Sequence, residues 1–147
     1  MAKALIVFAT RTGETASIAN LIGEGLRMAG VDTDVVPIKE IKSEKELENY
    51  DAVVMGAPTY HGEMIQPMKT FLFLAEKAKL AGKVGGAFGA FGWSGESPDR
   101  IFDTMKNIFK MTMVNAALRL KSSNLGGGVQ MAQDYGRQIA NKLNATG

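Results

Sequence analysis

Short apolar runs and helical patterns alternate five times along the chain. Residues 4–9 and 52–56 are continuous apolar runs, the pattern of strands covered on both faces. Val84–Phe91 predicts a further strand, rich in glycine. Thr33–Ile38 contains Pro37, and Ala116–Lys121 alternates through Arg119 and Lys121, so both segments predict edge strands. Between the strands, Ala19, Ile22, Leu26 and Ala29 form one helical stripe, and Met68, Phe71, Leu72 and Ala75 a second. Ile101, Met105, Ile108 and Phe109 give a third, and Ala132, Tyr135, Ile139 and Leu143 the last; all four read as core. Lys42–Asn49 is polar and only weakly patterned as a helix. Alternation of this kind predicts βαβ units and an α/β class, a doubly wound five-stranded parallel sheet. Placing the edge-like strands second and last gives the order 2-1-3-4-5, with helices on both faces by right-handed crossover. The ligand crevice of such a sheet lies at the carboxyl ends of strands one, three and four.

Three unusual loops follow those strands. The first, Thr10-Arg11-Thr12-Gly13-Glu14-Thr15, lies between a strand and an amphipathic helix. Unpaired N–H groups and the macrodipole at a helix start favour an anion, three threonines add hydroxyls, and Gly13 permits close backbone approach. Neither Gly-x4-Gly-Lys-Ser/Thr nor Gly-x-Gly-x-x-Gly is present, so a hydroxyl-rich monophosphate site is the chemical reading. The competing reading is an ordinary helix start with Thr12 or Thr15 as N-cap. The second loop, Ala57-Pro58-Thr59-Tyr60-His61-Gly62, and the third, Gly92-Trp93-Ser94-Gly95-Glu96, each bring one aromatic ring. Two rings facing across a crevice can stack on both sides of a flat heterocycle. A phosphorylated, flat-ringed ligand is expected. Ser97-Pro98-Asp99 predicts a helix start with serine as N-cap and proline at the first position.

Composition narrows the chemistry. A chain of 147 residues with 46% apolar content fits one domain, residues 1–147, and the methionine start points to a complete chain. With no cysteine and one histidine, thiolate and multi-histidine metal sites are ruled out. No run approaches a membrane span or a signal-peptide core, and a soluble cytoplasmic protein is expected. Residues 1–73 carry 7 basic and 10 acidic side chains and residues 74–147 carry 10 and 5, so the net +2 hides an imbalance. Lys77, Lys79, Lys83, Arg119 and Lys121 are scattered rather than interleaved with aromatics, which predicts solvated faces and no nucleic-acid surface.

Over nearly its whole length the sequence resembles the flavodoxin family. Thr10-x-Thr12-Gly13-x-Thr15 matches the family's FMN phosphate loop, and Gly56-Ala57-Pro58-Thr59 looks like the start of its first flavin loop. Gly85–Ser97 is most similar to the flavodoxin-like domain of flavodiiron proteins, while the length and the uninterrupted last strand match short-chain flavodoxins. The resemblance implies a flavodoxin-like fold and low-potential, one-electron transfer by non-covalent FMN. It implies phosphate binding by the Thr10, Thr12 and Thr15 hydroxyls, with backbone N–H groups from Arg11 to Thr15; Arg11 and Glu14 are expected to contribute only backbone, the alternative being an Arg11 side chain paired with the phosphate. It places Pro58 and Thr59 on the ribityl chain, Tyr60 and Trp93 on the two flavin faces, and Phe91, Gly92, Ser94 and Gly95 at the pyrimidine edge. Tyrosine in the first loop and tryptophan in the second reverses the common arrangement. The His61–Gly62 peptide is the candidate to turn its carbonyl toward flavin N5–H, glycine removing the steric penalty.

Implied partners are redox proteins meeting a monomer in transient complexes, docked at a rim of Glu63, Glu96 and Asp99, with neither nucleic acid nor membrane involved. Many flavodoxins are strongly acidic; this chain is slightly basic. Flavodiiron enzymes carry iron on a separate domain that this chain lacks, so their oxygen or nitric oxide reduction does not carry over. The alternative function is an FMN-dependent oxidoreductase, of quinone reductase or protoporphyrinogen oxidase type, although the chain lacks the long insertions that build substrate pockets in many such enzymes. A phosphoryl-accepting receiver domain shares the strand order. It needs an acidic cluster after strand one and an aspartate ending strand three, where this sequence has Thr10 and Ala57–Thr59.

Overall fold

The computed structural model describes residues 2–10, 13–60, 63–90, 96–120 and 127–146. β1 (Lys3–Phe8) is buried along nearly its whole length and pairs in parallel with β2 (Asp32–Pro37) and β3 (Ala52–Gly56), Ala4 lying beside both Thr33 and Ala52. β6 (Val84–Ala90) continues the sheet from β3, with Ala52 beside Val84. A small antiparallel ladder, β4 (Thr59–Tyr60) and β5 (Glu63–Met64), stands apart from the main sheet. Helices α1 (Glu14–Met28), α2 (Gln66–Glu76), α3 (Glu96–Asn107) and α4 (Gly128–Thr146) complete the alternation.

The fifth strand of the order 2-1-3-4-5 comes in two pieces, β7 (Thr112–Met113) and β8 (Leu118–Leu120), both parallel to β6. Val84 pairs with Thr112 and Phe88 with Leu118, so residues 86–87 of β6 face the longer stretch 114–117. The expected uninterrupted strand over Ala116–Lys121 is corrected accordingly: Ala116 lies in the bulge and Lys121 outside the described residues. Tyr135 of α4 fills the break. Its hydroxyl accepts from the Ala87 N–H at 3.1 Å and donates to the Ala116 carbonyl at 2.7 Å, replacing ladder bonds that the bulge removes. Burial pushes that phenol's pKa well up.

Strand alternation divides the core into two layers. Ala4, Ile6 and Phe8 pack with Ile18, Ile22, Tyr135 and Ile139 of α1 and α4, and Leu5 and Val7 pack with Met68, Phe71, Ile101 and Met105 of α2 and α3. Helices α1 and α4 cross closely, because a Cβ on Gly25 would overlap the Gln133 carbonyl and one on Gly136 the Ile22 carbonyl. Two residues expected in helical stripes lie outside the core. Ala29 is the exposed cap residue after α1, and Ile108, just past the end of α3, is 56% exposed.

The weakly patterned segment 42–49 is a 3-10 helix, Glu44–Asn49, anchored by buried Leu47 alone. Its start is a capping box: the Lys45 N–H donates to Ser43 Oγ at 3.2 Å and the Ser43 N–H to Glu46 Oε2 at 2.8 Å. Lys83 is not simply solvated as expected; its ammonium donates to the Glu48 and Tyr50 carbonyls at 3.1 and 2.6 Å, tying this helix to the start of β6.

Candidate functional site

The carboxyl ends of β1, β3 and β6 are bound side by side. The Ala9 N–H donates to the Gly56 carbonyl at 3.0 Å, and the Ala57 N–H to the Phe88 carbonyl at 3.2 Å. Gly89 makes the approach possible, since a Cβ there would overlap the Ala57 carbonyl and stand 2.9 Å from Pro98 Cγ. The crevice predicted from strand order therefore brings the described parts of all three loops to one edge of the sheet.

In the first loop, Gly13 adopts φ +90° and is the N-cap of α1, with no side chain capping the helix. This corrects the competing expectation of a threonine cap: Thr15 lies inside the first turn, and Thr12, like Arg11, is outside the described residues. The Gly13 N–H donates to Thr10 Oγ1 at 2.9 Å. Thr15 is 1% exposed and its hydroxyl has no partner among the described residues. A buried hydroxyl left open costs about 1–3 kcal/mol. Beside the positive end of a 15-residue helix, it is set to meet an anion.

In the second loop, Pro58 and Thr59 are half-buried and Thr59 begins the β4–β5 ladder. His61 and Gly62, which join the two strands, and the Tyr60 side chain lie outside what is described. This hairpin adds to the predicted elements, and a two-residue connection ending in glycine is its usual signal. Thr59 Oγ1 accepts from the Ser97 N–H at 3.0 Å. That bond overturns the expectation of Ser97 as N-cap: α3 starts at Glu96, Ser97 sits in its first turn, and a threonine 38 residues earlier supplies the cap. The Ser97 hydroxyl, fully buried, has no partner among the described residues either.

Phe91, Gly92, Trp93, Ser94 and Gly95 of the third loop lie outside the described residues. Of the expected acidic rim, Asp99 is paired with Arg119 at 3.3 Å and so partly neutralised; the side chains of Glu63 and Glu96 are outside the described set. Among the described residues no cluster of metal-ligating side chains occurs, and no helix is long and apolar enough to cross a membrane.

A doubly wound sheet in the order 2-1-3-4-5, with an unpartnered buried hydroxyl at the helix start after its first strand, has the flavodoxin-like architecture, and its likeness to known proteins places it among electron-transfer flavoproteins. A family model for flavodoxin matches residues 6–143, and the chain belongs to the flavodoxin family, whose cofactor is FMN. A flavodoxin from the domain Archaea has the same fold, with a TM-score of 0.90 at 31% identity over 97% of this chain and 99% of that one. NAD(P)H dehydrogenase (quinone) of Rhodopseudomonas palustris is 30% identical over 158 residues, 91% of this chain and 77% of that protein. The type A flavoprotein fprA of Rhodobacter capsulatus is 27% identical over 148 residues, which is 95% of this chain but 33% of its own length. The chain thus spans a quarter to a third of the larger flavoproteins it resembles. The residues present fit FMN, because the Thr15 hydroxyl and the uncapped start of α1 want the anion that the cofactor's phosphate provides.

Proposed function

We propose that this chain carries electrons one at a time, at low potential, between redox proteins that it meets in transient complexes. Bound FMN supplies the reversible electron chemistry; the chain binds, orients and shields it. The observation that carries this reading is the Thr15 hydroxyl, buried and unpartnered at the N-terminus of α1. Thr10, Thr12 and Thr15 hold the phosphate with their hydroxyls and with backbone N–H groups of residues 11, 12, 14 and 15, the Gly13 N–H being taken by Thr10 Oγ1. Pro58 and Thr59 border the ribityl chain, Tyr60 and Trp93 cover the ring faces, and Phe91, Gly92, Ser94 and Gly95 meet the pyrimidine edge. The peptide at His61–Gly62 offers its carbonyl at N5. The protein acts as a cytoplasmic monomer.

A second reading is a two-electron FMN reductase acting on quinones, favoured by the likeness to the quinone dehydrogenase over most of both chains. An anaerobic reductive titration of the FMN-loaded chain separates the two. Accumulation of the long-wavelength absorption of the one-electron stage supports the carrier. Direct two-electron reduction, with turnover of quinone by NADPH, supports the reductase. Gly62→Ala should lower the maximum of the one-electron stage; an unchanged maximum removes the peptide from this role.

A further inference from the structure

We infer that the Ser97 hydroxyl is a second buried contact for the bound flavin, made to its ring or ribityl part rather than its phosphate. The inference rests on the FMN reading above. Thr15 and Ser97 carry the only buried, unpartnered side-chain polar atoms among the described residues. Each stands in the first turn of a helix that follows a central strand, α1 after β1 and α3 after β6. Two such orphans at one edge of one sheet call for a shared ligand, since each otherwise keeps the desolvation penalty of an unpaired hydroxyl.

Their separation chooses which part of the ligand each meets. β1 and β6 lie on either side of β3, two strand spacings or about 10 Å apart, and α1 and α3 pack on opposite faces of the sheet, so one phosphate does not reach both hydroxyls. If Thr15 and the start of α1 take the phosphate, Ser97 reaches the far end of the same molecule. Ser97 is held rigidly for this purpose. Its own N–H is occupied by Thr59 Oγ1 at 3.0 Å, and the next residue, Pro98, is wedged against Gly89 at the end of β6. The hydroxyl can donate to a carbonyl or accept from an N–H or O–H, all of which the flavin ring and its sugar chain present. Thr59, accepting from Ser97, keeps its own hydroxyl proton to donate into the same crevice. Nothing in the local sequence marks Ser97 for this, because Ser-Pro-Asp reads as a helix start.

The test compares FMN and riboflavin binding to the unsubstituted chain, Ser97→Ala and Thr15→Ala, with the thermal midpoint of each flavin-free protein. Ser97→Ala should weaken both flavins by the same factor, roughly fivefold as expected for one neutral hydrogen bond. It should leave the flavin-free midpoint unchanged or raised, because the hydroxyl has no partner among the described residues. Thr15→Ala should weaken FMN alone. Unchanged affinities in Ser97→Ala, alongside normal FMN binding by the unsubstituted chain, overturn the assignment and leave the FMN reading standing. A loss confined to FMN moves Ser97 to the phosphate and overturns its placement. A lowered flavin-free midpoint makes the hydroxyl structural and overturns it too. Failure of the unsubstituted chain to bind either flavin overturns both readings.

Discussion

The hydroxyl of Tyr135 and the hydroxyls of Thr15 and Ser97 are all buried in one sheet protein, yet they have opposite fates. Tyr135, on the outer side of β6, is satisfied from within the chain, accepting from Ala87 and donating to Ala116 across the break in the last strand. Thr15 and Ser97, at the carboxyl edge, have no hydrogen-bond partner among the described residues. A buried polar group that finds its partners in the fold is scaffold; one left without a partner near the carboxyl ends of the strands marks where a ligand would be held. The same residue chemistry thus separates the part of the molecule that holds its shape from the part that binds.

Gly89 joins the two regions and gives the largest expected effect. Gly89→Ala forces a Cβ into the Ala57 carbonyl and toward Pro98, and should cost about 3 kcal/mol of stability as an overpacked backbone contact. It should weaken FMN binding as well, since the ends of β3 and β6 must part; denaturant unfolding and a flavin titration read the two losses. An effect on stability alone would uncouple the regions.

Thr15→Ala should lower FMN affinity by about tenfold or more, the range for a hydrogen bond to a charged group. The flavin-free protein should be no less stable, because no bond within the chain is lost. Tyr135→Phe should do the reverse. Leaving the Ala87 N–H and Ala116 carbonyl unpaired should cost about 1–2 kcal/mol, with FMN affinity nearly unchanged. Matching losses of stability and affinity in either variant would erase the distinction drawn above.

The smallest effect is on base stability. Burial and then the hydrogen bond to Asp34 raise the Tyr50 phenol to about 12, and burial raises that of Tyr135. A raised phenol stabilises the fold fully below its unfolded value near 10, and that stability is lost as pH climbs through the folded value. Stability should therefore fall between about pH 10 and 12, and less steeply in Tyr50→Phe. An identical pH slope in that variant would dissociate Tyr50 from the effect.

The sheet was legible because its strands are written locally. Continuous apolar runs at 4–9 and 52–56 became β1 and β3, and Pro37 closed the edge strand β2 as its missing N–H required. The helix start after β1 was legible in the same way, from the glycine and threonines of residues 10–15. Features made by distant pairings were not. The bulge between β7 and β8, its repair by Tyr135 and the cap that Thr59 gives to Ser97 join residues 19, 48 and 38 apart. No periodicity records such partners. Tyr135 was legible only as one member of a core stripe, and its hydroxyl carried the rest of the information. The capping box Ser43-x-x-Glu46 was written in the sequence, but the polar segment around it gave too little apolar pattern to draw notice.

Calorimetric titration of the unsubstituted, flavin-free chain with FMN and, separately, riboflavin tests most directly whether the open hydroxyl at α1 belongs to a phosphate site. One FMN should bind per chain, about 100-fold more tightly than riboflavin, as charge-assisted hydrogen bonds to one phosphate imply. Equal affinity for the two flavins would contradict a phosphate site at Thr10–Thr15.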